Sequence, residues 1–204
     1  MSSKKLQLQH LHTAWNNCQL CPLAKLRAQV VHGDGNPSAR LAIIGEAPGE
    51  QEDIEGIPFI GPAGIWLNKM LASVNIPRSD VYITNTCSCR PKKEPVGNRA
   101  PLVGEIEACR PRLESELNII APSIIVLCGN TPYFMATGKR GGVTKEHGKL
   151  DQLYAFPNGD EAAVFLTIHP ASLLYGTKEQ RIIKQDIADQ DWSLIAQEHN
   201  RLTM

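Results

Sequence analysis

A mostly parallel α/β sheet with helices on both faces is the fold class this sequence predicts. Three observations lead there. Short apolar runs, LAIIGEA at 41–47, VYITN at 81–85 and SIIVLCG at 123–129, read as strands buried on both sides. Segments with helical spacing alternate with them. Polar clusters follow several of the strands, at the carboxyl ends where such sheets bind ligands.

Taken in order, residues 5–16 predict a short helix leading to Cys18. After the strand at 41–47 comes a polar, Gly/Pro-rich loop to about Pro62. Ile65, Leu67, Met70, Leu71 and Val74 then recur with helical period over 63–74. The strand at 81–85 gives way to a long loop, 86–101, punctuated by Pro91, Pro95 and Pro101. Loops of that length in a compact domain are usually functional or disordered. Residues 102–120 read as helical, with Pro111 kinking or dividing the segment. The strand at 123–129 is followed by a short helix near 131–137 and a turn at GKRGG. Strands near 149–156 and 163–168 and a last amphipathic helix over 178–197 complete the pattern. It is read as one domain spanning 1–204.

Lys plus Arg number 21 and so do Asp plus Glu, which excludes a polycation or an acidic tail protein. A local basic face needs no global excess, so nucleic acid stays open. With 42% hydrophobic and 21% charged residues the chain is globular rather than disordered. No apolar run suits a membrane span, and the start MSSKKLQLQHLH has no apolar signal core. A cytoplasmic protein with no membrane contact is expected.

Three strand ends carry polar chemistry: Gly45-Glu46, Asn85, and His169-Pro170. The fold class would bring them together. The loop GEAPGEQEDIEGIPFIGPAG holds Glu46, Glu50, Glu52, Asp53 and Glu55, candidates for acid–base or charge-stabilising work. Phe59, isolated among Gly and Pro, suits stacking on a planar ligand; an anchor into the core is the alternative. Asn85 offers a donor and an acceptor, as a nucleobase edge does, although strand-end Asn is often a turn former. His169 at a strand end before Pro is a catalytic candidate. No Walker A or GxGxxG pattern is present.

Of six cysteines, Cys128 sits in an apolar strand and reads as a core thiol. Cys18-x2-Cys21 places two thiolates within reach of one centre. Cys109, with Cys89 or Cys87, completes four ligands, suited to tetrahedral zinc or an iron–sulfur cluster. Such a clamp would tie the N-terminal segment to the long loop and to the helix at 102–120.

IIGEAPGEQED followed by GIPFIGPAG resembles the first active-site motif of family 4 uracil-DNA glycosylases, the iron–sulfur type. CQLCPL, VYITNTCSCRP, NRAPLVGEIEACRPRL and TIHPASLL continue the resemblance in the family's order across residues 14–176. The resemblance implies a three-layer α/β/α fold, a [4Fe-4S] cluster on Cys18, Cys21, Cys89 and Cys109, and excision of uracil from DNA by a monomeric DNA-repair hydrolase. Cys89 is preferred to Cys87 because it precedes Arg-Pro, as in the family's CRP motif. The resemblance also implies a uracil pocket from Gly45, Glu46, Ala47, Phe59 and Asn85. Glu52 would lie near the C5 edge of the base, and His169 near O2. Glu46 or, second, Asp53 would serve the sugar cation or the attacking water. Leu173 and Leu174 would either wedge into the vacated stack or serve ordinary packing, two readings of equal weight. Lys92, Lys93, Arg99, Arg140 and Lys145 would meet phosphates, with a generic solvated surface as the competing view. The loop RPKKEPVGNRAP is longer than the family's usual one, yet it lacks the histidine of the DNA-crosslinking relatives. Turnover rather than covalent capture is therefore expected. Tyr175 stands where the family often carries Arg.

Overall fold

The computed structural model describes residues 3–93, 95 and 97–202. Helix α1 (Lys4–Trp15) starts at Ser3, whose hydroxyl accepts the Leu6 N–H. This is the N-cap role that satisfies an otherwise orphaned donor. A short edge strand, β1 (Asp34–Gly35), precedes β2 (Leu41–Gly45). Next come α2 (Glu50–Glu55), α3 (Pro62–Ser73) and β3 (Tyr82–Asn85). Then follow α4 (Val103–Ile120), β4 (Ile124–Cys128), α5 (Asn130–Thr137) and α6 (Val143–Glu146). The hairpin β5 (Gly148–Ala155) and β6 (Glu161–Thr167) leads to the long helix α7 (Lys178–Arg201).

The sheet order is β1-β3-β2-β4-β6-β5. The inner strands β3, β2, β4 and β6 are parallel; β1 and β5 pair antiparallel at the two edges. Successive side chains of a strand point to opposite faces, and here both faces are covered. Leu41, Ile43, Val126 and Phe165 pack with Leu67, Met70 and Leu71 of α3 and Trp192 and Ile195 of α7. Ala42, Ile44, Ile125, Leu127 and Leu166 pack with Leu113 and Leu117 of α4 and Tyr133 of α5. The three-layer arrangement follows from strands with no polar face to give to water.

Several elements differ from the sequence reading. Residues 50–55 form a helix inside the segment expected to be loop. Its first turn is acidic, with Glu50, Glu52 and Asp53, which favours the positive end of the helix dipole. Its buried positions are Glu52 and Asp53 rather than apolar residues, so no hydrophobic period marks it. Pro111 does not divide α4, which runs unbroken to Ile120. The buried faces of Leu113 and Leu117 hold the helix together across the missing N–H. The last helix extends beyond residue 197 to Arg201. No helix among the described residues is long and apolar enough to cross a membrane.

Candidate active site

The chain order reverses about β2: β3 lies on one side and β4 on the other. Such a switch point opens a crevice at the strands' carboxyl ends. Gly45 and Asn85 are register partners there. A Cβ on Gly45 would fall 2.4 Å from Asn85 Oδ1 and 2.5 Å from the Phe59 ring. Only a residue without a side chain lets amide and ring approach this closely.

Phe59 itself has φ 53°, the left-handed region for a non-glycine residue. That conformation is strained and persists only where its surroundings impose it. Glu52 supplies much of the restraint. Its Oε1 accepts the N–H groups of Ile60 at 3.0 Å and Gly61 at 2.7 Å. Its Oε2 accepts the N–H of Gly49 at 3.0 Å. The loop therefore closes around a buried carboxylate, which holds the Phe59 ring at the crevice.

His169 stands two residues beyond β6 and starts the 3₁₀ turn Pro170–Leu174. Its ring lies 5.8 Å from Phe59, centroid to centroid, tilted by 30°. Gly129, with φ 94°, makes room for it, since a Cβ there would sit 2.9 Å from His169 Cβ. His169 Nδ1 accepts the Ala171 N–H at 3.2 Å. An accepting Nδ1 leaves the ring proton on Nε2. Burial pushes the pKa of this histidine down to about 4, so the ring is neutral near pH 7.

Glu46 directly follows β2 and crosses the switch point to Thr131, whose hydroxyl donates to Oε2 at 2.5 Å. Burial raises its carboxyl pKa and the Thr131 bond partly opposes that. Ala47, next in sequence, packs against the α4 face of the core. Asp53 is engaged elsewhere: it accepts the Ala28 N–H at 2.8 Å and pairs with Lys92 Nζ at 3.3 Å. The crevice thus combines an aromatic face, an amide edge, a neutral imidazole donor and a partly buried carboxylate.

A second cluster lies behind the loop that follows β3. Cys18 and Cys21 come from the segment after α1, Cys87 and Cys89 from the loop, and Cys109 from the middle of α4. Cys21 lies near enough to Cys18 and Cys109 to feel their charge, and Cys89 likewise feels Cys109 and Cys21. Cys87 donates toward Cys109. Arg27 donates to Cys89 Sγ at 3.5 Å and to the Cys18 carbonyl at 2.8 Å. Cys128 is fully buried in β4, as its apolar setting predicts.

The family model of the uracil DNA glycosylase superfamily matches residues 32–191. The chain belongs to the uracil-DNA glycosylase superfamily. Among its relatives is the type-4 uracil-DNA glycosylase of Sulfurisphaera tokodaii, 40% identical over 176 residues, covering 83% of this chain and 77% of that protein. The protein of the same name from Thermotoga maritima is 40% identical over 174 residues, covering 83% and 85%. The one from Saccharolobus solfataricus is 39% identical over 174 residues, covering 83% and 78%.

Not every residue singled out in this glycosylase-superfamily chain faces the crevice freely. Leu173 is 5% exposed and packs inward, whereas Leu174 is half-buried and Tyr175 is exposed. Arg99 forms two bonds to Glu105, at 2.8 and 2.7 Å, beside the start of α4. Sequence reasoning missed Thr131, although its place just after β4 matches the strand-end rule. It also missed Arg112 and Glu116, whose i, i+4 charge pair in RPRLESEL looks like a solvated helix face. Both side chains are in fact buried. Arg112 donates to Glu116 Oε2 at 2.7 Å, to Thr84 Oγ1 at 3.2 Å and to the Asn85 carbonyl at 2.5 Å.

Proposed function

We propose that this protein excises uracil from DNA, acting as a monomer that flips the nucleotide out and hydrolyses its N-glycosidic bond to leave an abasic site. The observation that carries the reading is the convergence of Gly45, Phe59, Asn85 and His169 at one strand-end crevice. Phe59 stacks on the extruded ring, and the Asn85 amide pairs with its donor–acceptor edge. Negative charge develops on the leaving base as the bond to the sugar breaks. The Nε2–H of neutral His169 and the backbone after Gly45 stabilise it, as an oxyanion hole does. Glu46 faces the sugar cation or orients the water. Asp53 is the weaker candidate for that role because Ala28 and Lys92 already occupy it. Glu52 acts through the Phe59 loop, positioning the ring that stacks on the base. Leu174 enters the vacated stack with Leu173 supporting it from the core. Extraction is least costly from a mispair. Exposed Lys93, Arg140 and Lys145 are the cations best placed for phosphates, since Arg99 and Lys92 hold internal carboxylates.

Cys18, Cys21, Cys89 and Cys109 are the proposed ligands of a [4Fe-4S] cluster. The donor set fits. The electrostatic contacts of Cys21 with Cys18 and Cys109, and of Cys89 with Cys109 and Cys21, gather the four thiols into one group, and four thiolates are the donor set such a cluster takes. When bound it supplies no bond-breaking chemistry here; it clamps the N-terminal arm to the loop after Asn85 and to α4. Cys87→Ala should keep the cluster's broad absorption, roughly near 400 nm. Cys89→Ala should lose it. Iron content and absorption of both variants, purified without oxygen, check the assignment; stoichiometric zinc in the unmodified protein would contradict it.

The activity is tested by strand cleavage at abasic sites on duplexes with one U:G, U:A, T:G or hypoxanthine:T pair. Cleavage at uracil is expected. Intact uracil strands after incubation with iron-loaded protein would defeat the proposal.

A further inference from the structure

Away from the crevice, α1 meets α4 through another polar cluster. His12 lies on α1, His32 just before β1, and Glu116 on α4. One ring nitrogen of each histidine and one Glu116 carboxylate oxygen all lie within 4.8 Å of one another. His12 Nε2 is 3.2 Å from Glu116 Oε1. His32 Nε2 is 2.8 Å from Asn16 Oδ1. An amide oxygen can only accept, so His32 carries its proton on Nε2 and its lone pair on Nδ1. That Nδ1 is buried and has no hydrogen-bond partner. A buried acceptor left without a donor needs an explanation.

We propose that His12, His32 and Glu116 form a binding site for a divalent cation of the zinc class. Two imidazole nitrogens and one carboxylate oxygen are a donor set that suits zinc, with water in the fourth position. The supporting contacts are those that orient metal ligands. Asn16 fixes the His32 ring. Thr84, at 2.7 Å, and Arg112 bind Glu116 Oε2, leaving Oε1 directed at His12 and the Gly33 N–H. His12 has a side chain 22% exposed, which gives an ion access from solvent. The ion takes the place of the proton between His12 Nε2 and Glu116 Oε1. The two rings stack at 4.3 Å and are only 10° from parallel. A metal–imidazole bond lies in the ring plane, so binding turns one ring out of the stack, and solvent-facing His12 is the one able to turn. The ion would staple α1 to α4 and so hold the arm that bears Cys18 and Cys21.

Protein purified without oxygen would be dialysed against zinc, and bound zinc and iron measured for the unmodified chain, His32→Ala and His12→Gln. One zinc per chain is expected without loss of iron, with affinity at least about tenfold weaker in each variant. Zinc should raise the melting temperature of the unmodified protein and not of the variants. His12→Gln, at the solvent-facing position, keeps the test readable if His32→Ala does not fold. Absence of zinc binding in the unmodified protein overturns the proposal. So does equal binding by the variants, or zinc uptake matched by loss of iron.

Discussion

His169→Ala is expected to slow single-turnover uracil release by about 10²–10³-fold, the usual effect of removing one donor to a developing anion. Its fold should survive. The ring packs on Phe59 and Gly129 at the crevice, and the backbone bond it accepts from Ala171 lies in a 3₁₀ turn that buried Pro170 and Leu173 anchor independently. Unchanged iron absorption and near-unchanged melting should accompany the loss of rate. A structural role would move melting instead, and an unchanged rate would remove His169 from the site. The pH profile carries a separate test. Burial depresses the pKa of His169 to about 4, against about 6.5 for a free imidazole. The neutral donor therefore persists well below pH 6.5, and the rate should show no loss with an apparent pKa near that value. For stability the sign is the same. Above pH 6.5 both states are neutral and nothing is lost. As pH falls from 6.5 toward 4 the unfolded chain takes up the proton first, and folding weakens over that window. His169→Ala should flatten that part of the stability curve.

What the sequence discloses of this molecule follows from where its chemistry is apolar. The inner strands are uninterrupted runs such as LAIIG and IIVLC, and their alternate residues feed two separate cores. That pattern alone dictates helices on both faces. Gly45, Asn85 and His169 were legible because each ends such a run. Helix α2 was not, because Glu52 and Asp53 are its buried residues and burial of a carboxylate leaves no periodic trace. The contacts of Asp53, Arg99 and Lys92 were not legible for a related reason. Composition shows that these residues are charged, but only packing shows that Ala28, Glu105 and Asp53, respectively, engage them. Leu173 and Leu174 are indistinguishable as letters; the 3₁₀ turn buries one and leaves the other half-exposed. The two-residue strand β1 is too short for any alternation to be seen.

Arg112→Met should destabilise the protein by about 3–5 kcal/mol, a large share of the stability of an ordinary domain. The guanidinium and the Glu116 carboxylate are both essentially inaccessible to water. Removing one leaves the other charged and buried, which costs far more than the pair contributes. Glu116 shows the balance directly. Burial pushes its pKa up, yet Arg112, His12, Thr84 and Gly33 together hold it at about 2. A carboxyl depressed in the folded state stabilises above its unfolded pKa, and that contribution is lost as pH falls toward 2. Without the guanidinium the burial effect dominates and protonation becomes favourable. The deficit of Arg112→Met relative to the unmodified protein should therefore narrow as pH drops from 7 toward 4. A deficit independent of pH would mean lost packing rather than a stranded charge. Arg112→Met combined with Glu116→Leu should recover much of the loss, short of the share due to the Thr84 hydroxyl and Gly33 N–H. Urea unfolding of the three proteins at several pH values measures each term. The same substitution removes the donor to the Asn85 carbonyl. Uracil binding should weaken in Arg112→Met even at pH and temperature where the protein is fully folded, because the backbone that carries the base-reading amide has lost its anchor to α4.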